Sequence, residues 1–73
     1  MNNILKRLNA NYISKIADII YDIWENNIDE KECLISFDEY ARYIRKKYNV
    51  FCTTNNVNIA WSVAYDKIYG LSI

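Results

Sequence analysis

The strongest constraint on the fold is the width of the apolar face over residues 4 to about 26. Leu5, Leu8, Tyr12, Ile16, Ile19 and Ile23 recur at three- and four-residue steps, the period of one helix face. A second row, Ile13, Ala17, Ile20 and Trp24, widens that face to nearly half the circumference. Opposite runs a polar stripe of Asn11, Lys15, Asp18, Asp22 and Glu25. A face this broad needs more than one neighbour. The helix is therefore expected to back a small bundle, or to place part of its surplus against a second copy as a homodimer. Asn26 and Asn27 end it, although Ile28 is spaced to extend it by a turn.

The best-written local structure follows a charged connector over residues 27–35. Ser36 with Glu39 three residues on has the form of a capping box, each side chain satisfying an orphan backbone N–H at a helix start. Ile35 before the cap and Tyr40 at the fourth helical position are placed for a hydrophobic staple. Asn49 suits the left-handed residue that closes a helix, with Val50 folding back toward Ile44. The spacing thus predicts a helix over 36–48. Phe37, Tyr40, Ala41, Ile44 and Tyr48 face inward, and Asp38 stands four residues before Arg42 for a modest ion pair.

Residues 50–69 support two patterns. Val57, Ile59, Trp61, Val63 and Tyr65 alternate with smaller or polar residues, and Asn55-Asn56 suits a two-residue turn, so a hairpin over 50–65 is one expectation. The other is a helix over 54–69, capped by Thr53, with a Cys52–Val57 staple and Gly70 as the stop. Leu71 would then fold back toward Tyr65. Its core stripe is Val57, Ala60, Trp61, Ala64, Ile68 and Leu71. The four-residue spacing of Ala60 and Ala64, continued in helical step to Ile68, favours the helix. The predicted fold is all-α, a compact three-helix domain with helices at about 4–26, 36–48 and 54–69. The alternative is α+β with a C-terminal hairpin at 50–65.

Composition agrees with this choice. With no proline and one glycine in 73 residues, the usual turn residues of an all-β chain are nearly missing. A chain of that length forms one domain, residues 1–73, near the lower limit for a single core. Heavy use of Asn, Ile, Tyr and Lys points to an AT-rich genome, such as that of a low-GC bacterium or its phages. Polar residues interrupt the apolar run near the start, which argues against a secretion signal or membrane span. Cys33 and Cys52 are expected as free thiols in a reducing, cytoplasmic setting.

The function classes narrow by subtraction. There is no histidine, so neither cysteine has the usual activating base, and two cysteines do not complete a structural zinc site. One glycine does not make a phosphate-binding loop. No enzyme activity, cofactor or metal is expected. Charge is balanced overall, at 9 basic and 9 acidic residues, but unevenly placed. Asp18, Asp22, Glu25, Asp29, Glu30, Glu32, Asp38 and Glu39 face only Lys31 across residues 18–39. Arg42, Arg45, Lys46 and Lys47 then follow without an acid among them.

Two binding roles follow. The first is a small regulator or inhibitor, of the size encoded by phages and mobile elements, that binds a larger protein. Asp18, Tyr21, Asp22, Glu25, Asp29 and Glu30 form its acidic and aromatic surface, suited to a basic partner such as a nucleic-acid-handling protein. Tyr residues commonly anchor such interfaces. The second is a helix-turn-helix that binds DNA. Arg42, Arg45, Lys46 and Lys47 would hold phosphates, and Asn55, Asn56 and Asn58, at the start of the last helix, would meet base edges. The zero net charge and the acidic stripe weigh against it.

Overall fold

A computed structural model describes the backbone of residues 2–70 and the side chains of residues 10–70. The described residues form four helices in order: α1 (Asn2–Glu25), α2 (Ile28–Lys31), α3 (Phe37–Tyr48) and α4 (Thr54–Tyr69). The described residues contain no strand. The chain is all-α, and residues 50–65 form no hairpin.

The connector over 27–35 differs from expectation, because it holds the one-turn helix α2. Asn27 takes the left-handed conformation at φ 56° and breaks α1. Ile28 then restarts the helix, since its side chain packs half-buried against the core, and Asp29 and Glu30 suit the positive end of the new turn. A Schellman closure ends it. Leu34 N–H donates to the Asp29 carbonyl at 2.8 Å, Cys33 N–H donates to the Glu30 carbonyl at 3.4 Å, and Cys33 itself is left-handed at φ 56°.

The capping box of α3 is formed. Glu39 N–H donates to Ser36 Oγ at 3.2 Å, and Ser36 N–H donates to Glu39 Oε1 at 3.1 Å. The Ile35–Tyr40 staple is not. Ile35 N–H also donates to Glu39 Oε1, at 2.9 Å. The carboxylate thus sets the entry angle that a staple would set, and the Ile35 side chain is left 87% exposed. Asn49 closes the helix at φ 54°.

At α4, Thr53 forms a second capping box whose other member is an asparagine. Asn56 N–H donates to Thr53 Oγ1 at 3.1 Å, and Thr53 N–H donates to Asn56 Oδ1 at 2.9 Å. Cys52 and Val57, at the staple positions, are both fully buried. Gly70 is left-handed at φ 58° and its N–H donates to the Asp66 carbonyl. The expected return of Leu71 toward Tyr65 lies outside the described residues.

One core joins these elements. α1 supplies Ile16, Ala17, Ile19, Ile20 and Ile23, α3 supplies Tyr40, Ala41 and Ile44, and α4 supplies Val57, Ala60 and Ala64, with Cys52 from the loop. α1 packs chiefly on α4, which also packs on α3. Small residues on these faces let the helices approach closely. The molecule measures 41 × 32 × 16 Å, so its short dimension is little more than one helix diameter. A molecule this thin leaves large side chains at its edges, among them Tyr65, Ile68 and Tyr69.

Candidate functional site

The ends of α1 and α4 meet in an aromatic cluster centred on Trp61. Its ring lies 4.8 Å from Trp24 and 5.0 Å from Tyr40, each at 81°, and 4.8 Å from Phe37. Edge-to-face pairs of this kind match the positive edge of one ring to the negative face of the next. Trp24 also meets Tyr65 at 5.8 Å and 83°, and Tyr65 lies 5.0 Å from Tyr69 in a tilted stack. Trp24 Nε1 donates to the Tyr40 hydroxyl at 3.1 Å, which ties α1 to α3 beneath the cluster.

The outer side of this cluster is open. A hollow of about 300 Å³ is lined by Trp24, Tyr40, Trp61, Tyr65, Ile68, Tyr69 and one carboxylate, Asp29. A smaller one beside it shares Trp24 and Ile68 and adds Tyr21 and Glu25. Among the described residues, no lysine or arginine lines either hollow. Burial is the main cause that raises the Tyr40 phenol above its ordinary value. The Trp24 N–H acts in the opposite direction, and the nearby Asp29 carboxylate raises it further. Asp29 thus stands at the edge of an apolar hollow, beside a hydroxyl.

The six acidic-surface residues divide. Tyr21, Glu25 and Asp29 border the two hollows. Asp18 and Asp22 are engaged within the chain: Lys67 Nζ bonds Asp18 Oδ1 across α1 and α4, and Tyr48 OH donates to Asp22 Oδ2 at 3.0 Å across α1 and α3. Burial, followed by the Asp22 bond and charge, pushes the Tyr48 phenol up to about 12. Glu30 is exposed on α2 and lines neither hollow.

The basic cluster divides as well. Arg42 pairs with Asp38 at 2.7 Å, and Thr54 Oγ1 donates to the other oxygen of that carboxylate at 3.2 Å. Arg45 Nη1 donates to the Cys52 carbonyl at 2.7 Å, which braces the loop before α4. Lys46 and Lys47 are exposed, in a shallow groove that also contains Glu32 and Glu39. Asn56 is held in its capping box, whereas Asn55 and Asn58 are exposed. Five residues, 49–53, separate α3 from α4, one more than the turn usual in a helix-turn-helix.

Burial raises the Cys52 thiol, against a smaller lowering by Arg45, so Cys52 is a packing residue and not an activated nucleophile. The inner face of α1 from Ile16 to Ile23 is buried within the chain. Among the described residues of this helix, an open apolar groove remains beside Ala10, Ile13 and Ser14, with Ile59 and Val63 of α4 opposite. Among the described residues, no three His, Cys, Asp or Glu side chains gather as metal ligands would, and no helix is long and apolar enough to cross a membrane.

Of the residues that the helical spacing places on core stripes, Tyr40 is buried at 4%, Trp24 and Trp61 are half-buried, and Ile68 is 43% exposed; Tyr65, on no predicted stripe of the helix, joins them at the surface. The available signal is the Trp61, Tyr65, Tyr69 row at four-residue steps, which puts three large rings along one side of α4. Comparison of the chain with protein-family models, curated proteins and solved structures gives no match.

Proposed function

We propose that this chain is a small regulator or inhibitor of a larger protein, acting by binding and without chemistry of its own. The observation that supports it is the contiguous aromatic surface at the α1–α4 edge. Tyr65, Ile68 and Tyr69 are 45%, 43% and 59% exposed beside Trp24 and Trp61. Trp and Tyr are the residues that most often anchor protein interfaces, where a desolvated centre carries most of the affinity. The Glu25 and Asp29 rim suits a basic surface, including one that a nucleic-acid-handling protein offers to DNA. Free thiols at Cys33 and Cys52 fit a reducing, cytoplasmic setting.

DNA binding through α3 and α4 is the rival role. Three of its seven residues, Arg42, Arg45 and Asn56, already hold contacts within the chain. Lys46, Lys47, Asn55 and Asn58 are left for it.

The test is affinity capture from the native host with the full chain, quantified against Tyr69→Ala and Glu25→Lys. A protein retained by the wild type and lost by both variants supports the role. In parallel, a gel shift with generic duplex at low salt is expected to show no binding. A shift that collapses with added salt and is abolished by Arg45→Glu with Lys46→Glu would replace the proposal with the DNA role.

A further inference from the structure

We infer that the aromatic hollow between α1 and α4 is a receptor for one arginine side chain of the partner, with Trp61, Tyr65 and Tyr69 meeting the guanidinium plane and Asp29 meeting its N–H groups. This rests on the binding role proposed above and names the chemistry that the surface recognises.

Three observations converge. First, aromatic residues make up most of the hollow's lining, and a cation over Trp or Tyr is attracted by the ring quadrupole, more strongly when water is excluded. Tyr65 and Tyr69 are 45% and 59% exposed, so part of each ring is open to a partner's side chain. Second, Asp29 is half-buried at the hollow's edge and has no ion-pair partner among the described residues. It stands beside the Tyr40 hydroxyl, and an incoming cation would give it the ion-pair partner it lacks among the described residues. Third, the charge is one-sided. Glu25 stands in the adjoining hollow, and among the described residues neither hollow contains a basic side chain.

Size and chemistry select the occupant. At about 300 Å³ the hollow is at the bottom of the range for small-molecule sites, so it suits a single long side chain. Guanidinium is planar, weakly hydrated and able to stack and donate in a fork at once. Ammonium is a strongly hydrated point charge that does neither well. The hollow offers aromatic rings and a carboxylate together, a combination that guanidinium uses better than ammonium.

Both tryptophans of the chain, Trp24 and Trp61, belong to this cluster, so intrinsic fluorescence reports the site directly. The full chain is titrated with the blocked tripeptide Gly-Arg-Gly, with its citrulline counterpart, which keeps the shape without the charge, and with Gly-Lys-Gly. The arginine peptide is expected to give a saturating change, with the citrulline peptide about tenfold weaker and the lysine peptide about threefold weaker. Asp29→Asn should weaken arginine binding about tenfold. Tyr69→Ala, at an exposed position that does not threaten the fold, should weaken it about threefold.

Equal responses to arginine and citrulline, or no response to arginine, overturn the inference. Lysine binding as tightly as arginine also overturns it, because the hollow then reads charge alone. A tryptophan signal that changes with the protein's own concentration, without peptide, overturns it in favour of a second copy as occupant. Failure here is distinct from failure of the binding role. If the peptide fails but Tyr69→Ala still loses the captured protein, the surface stands and the arginine falls. If capture ignores Tyr69→Ala and Glu25→Lys, the surface itself falls.

Discussion

Trp24 and Tyr40, sixteen residues apart, are joined by a 3.1 Å hydrogen bond from the indole N–H to the phenol oxygen. The bond lies at the base of the aromatic cluster and is a direct polar link between α1 and α3. It gives both residues two functions. Their rings close the core while their polar atoms fix the floor of the open hollow.

Tyr40→Phe removes this acceptor and keeps the ring, so it isolates the bond. The indole N–H is left part-buried without a partner, which costs about 1 kcal/mol. For a domain of this size that lowers Tm by about 4–8 °C. Thermal unfolding by circular dichroism checks it, and an unchanged Tm would show that water replaces the phenol without loss.

Tyr12 shows the opposite case. Its hydroxyl is buried with no hydrogen-bond partner among the described residues, and burial, followed by the proximity of Cys52, pushes its phenol above the ordinary value. An unsatisfied buried hydroxyl costs about 1–3 kcal/mol. Tyr12→Phe deletes the oxygen and keeps the ring, so it should stabilise the fold by up to about 1 kcal/mol. Urea unfolding should show a higher midpoint at constant slope; a lower midpoint would mean that the hydroxyl finds water.

Local rules accounted for most of the helices, because most of their ends are closed by side chains close in sequence. Ser36 with Glu39, and Asn49, each act within one turn, and the structure realises both as read. The choice of helix over hairpin at 54–69 came from Gly70 and the Ala60–Ala64 spacing, and Ala60 and Ala64 are indeed fully buried. What escaped was decided by tertiary geometry. The α2 turn depends on Ile28 finding the core, and the exposure of Ile35 depends on Glu39 capturing a second N–H. The aromatic hollow was the least legible. It exists because the core is too thin to cover Tyr65 and Tyr69, a property of three helices together that no periodicity in one of them expresses. Likewise, Asp22 reads as a solvated stripe residue until Tyr48, 26 positions later, is placed against it.

Cys33 occupies the C′ position of the Schellman closure after α2 at φ 56°, where a side chain with a Cβ is strained by about 1–2 kcal/mol. Its side chain is exposed, so little packing is lost on removing it. Cys33→Gly relieves that strain but adds freedom to the unfolded chain, leaving a net gain of about 0.5–1 kcal/mol. Cys33→Val, with a branched side chain at the same dihedral, should destabilise by more than the glycine gains. Paired chemical denaturation of the two variants decides it, and the same rank order for both relative to wild type would remove the strain argument.

Alkaline stability follows from three tyrosines, Tyr12, Tyr40 and Tyr48, whose phenols are all raised above the ordinary value of 10.0. A raised folded value means that the native state holds its proton when the unfolded chain has released it. The stabilisation is therefore complete below pH 10, falls as pH climbs above it, and is lost as pH passes the folded value, about 12 for Tyr48. Burial is the largest cause at Tyr48, followed by the hydroxyl's bond to Asp22. Tyr48→Phe should cost at most about 1 kcal/mol at pH 7, because the bond is exposed. Above pH 10 the variant should lose stability less steeply than the wild type, since one of the three late-titrating phenols is gone. Urea midpoints at pH 8, 10 and 11, with tyrosinate absorbance followed on the same samples, measure both slopes. Parallel slopes would place the alkaline loss at Tyr12 and Tyr40 and leave the Tyr48–Asp22 bond without a part in it.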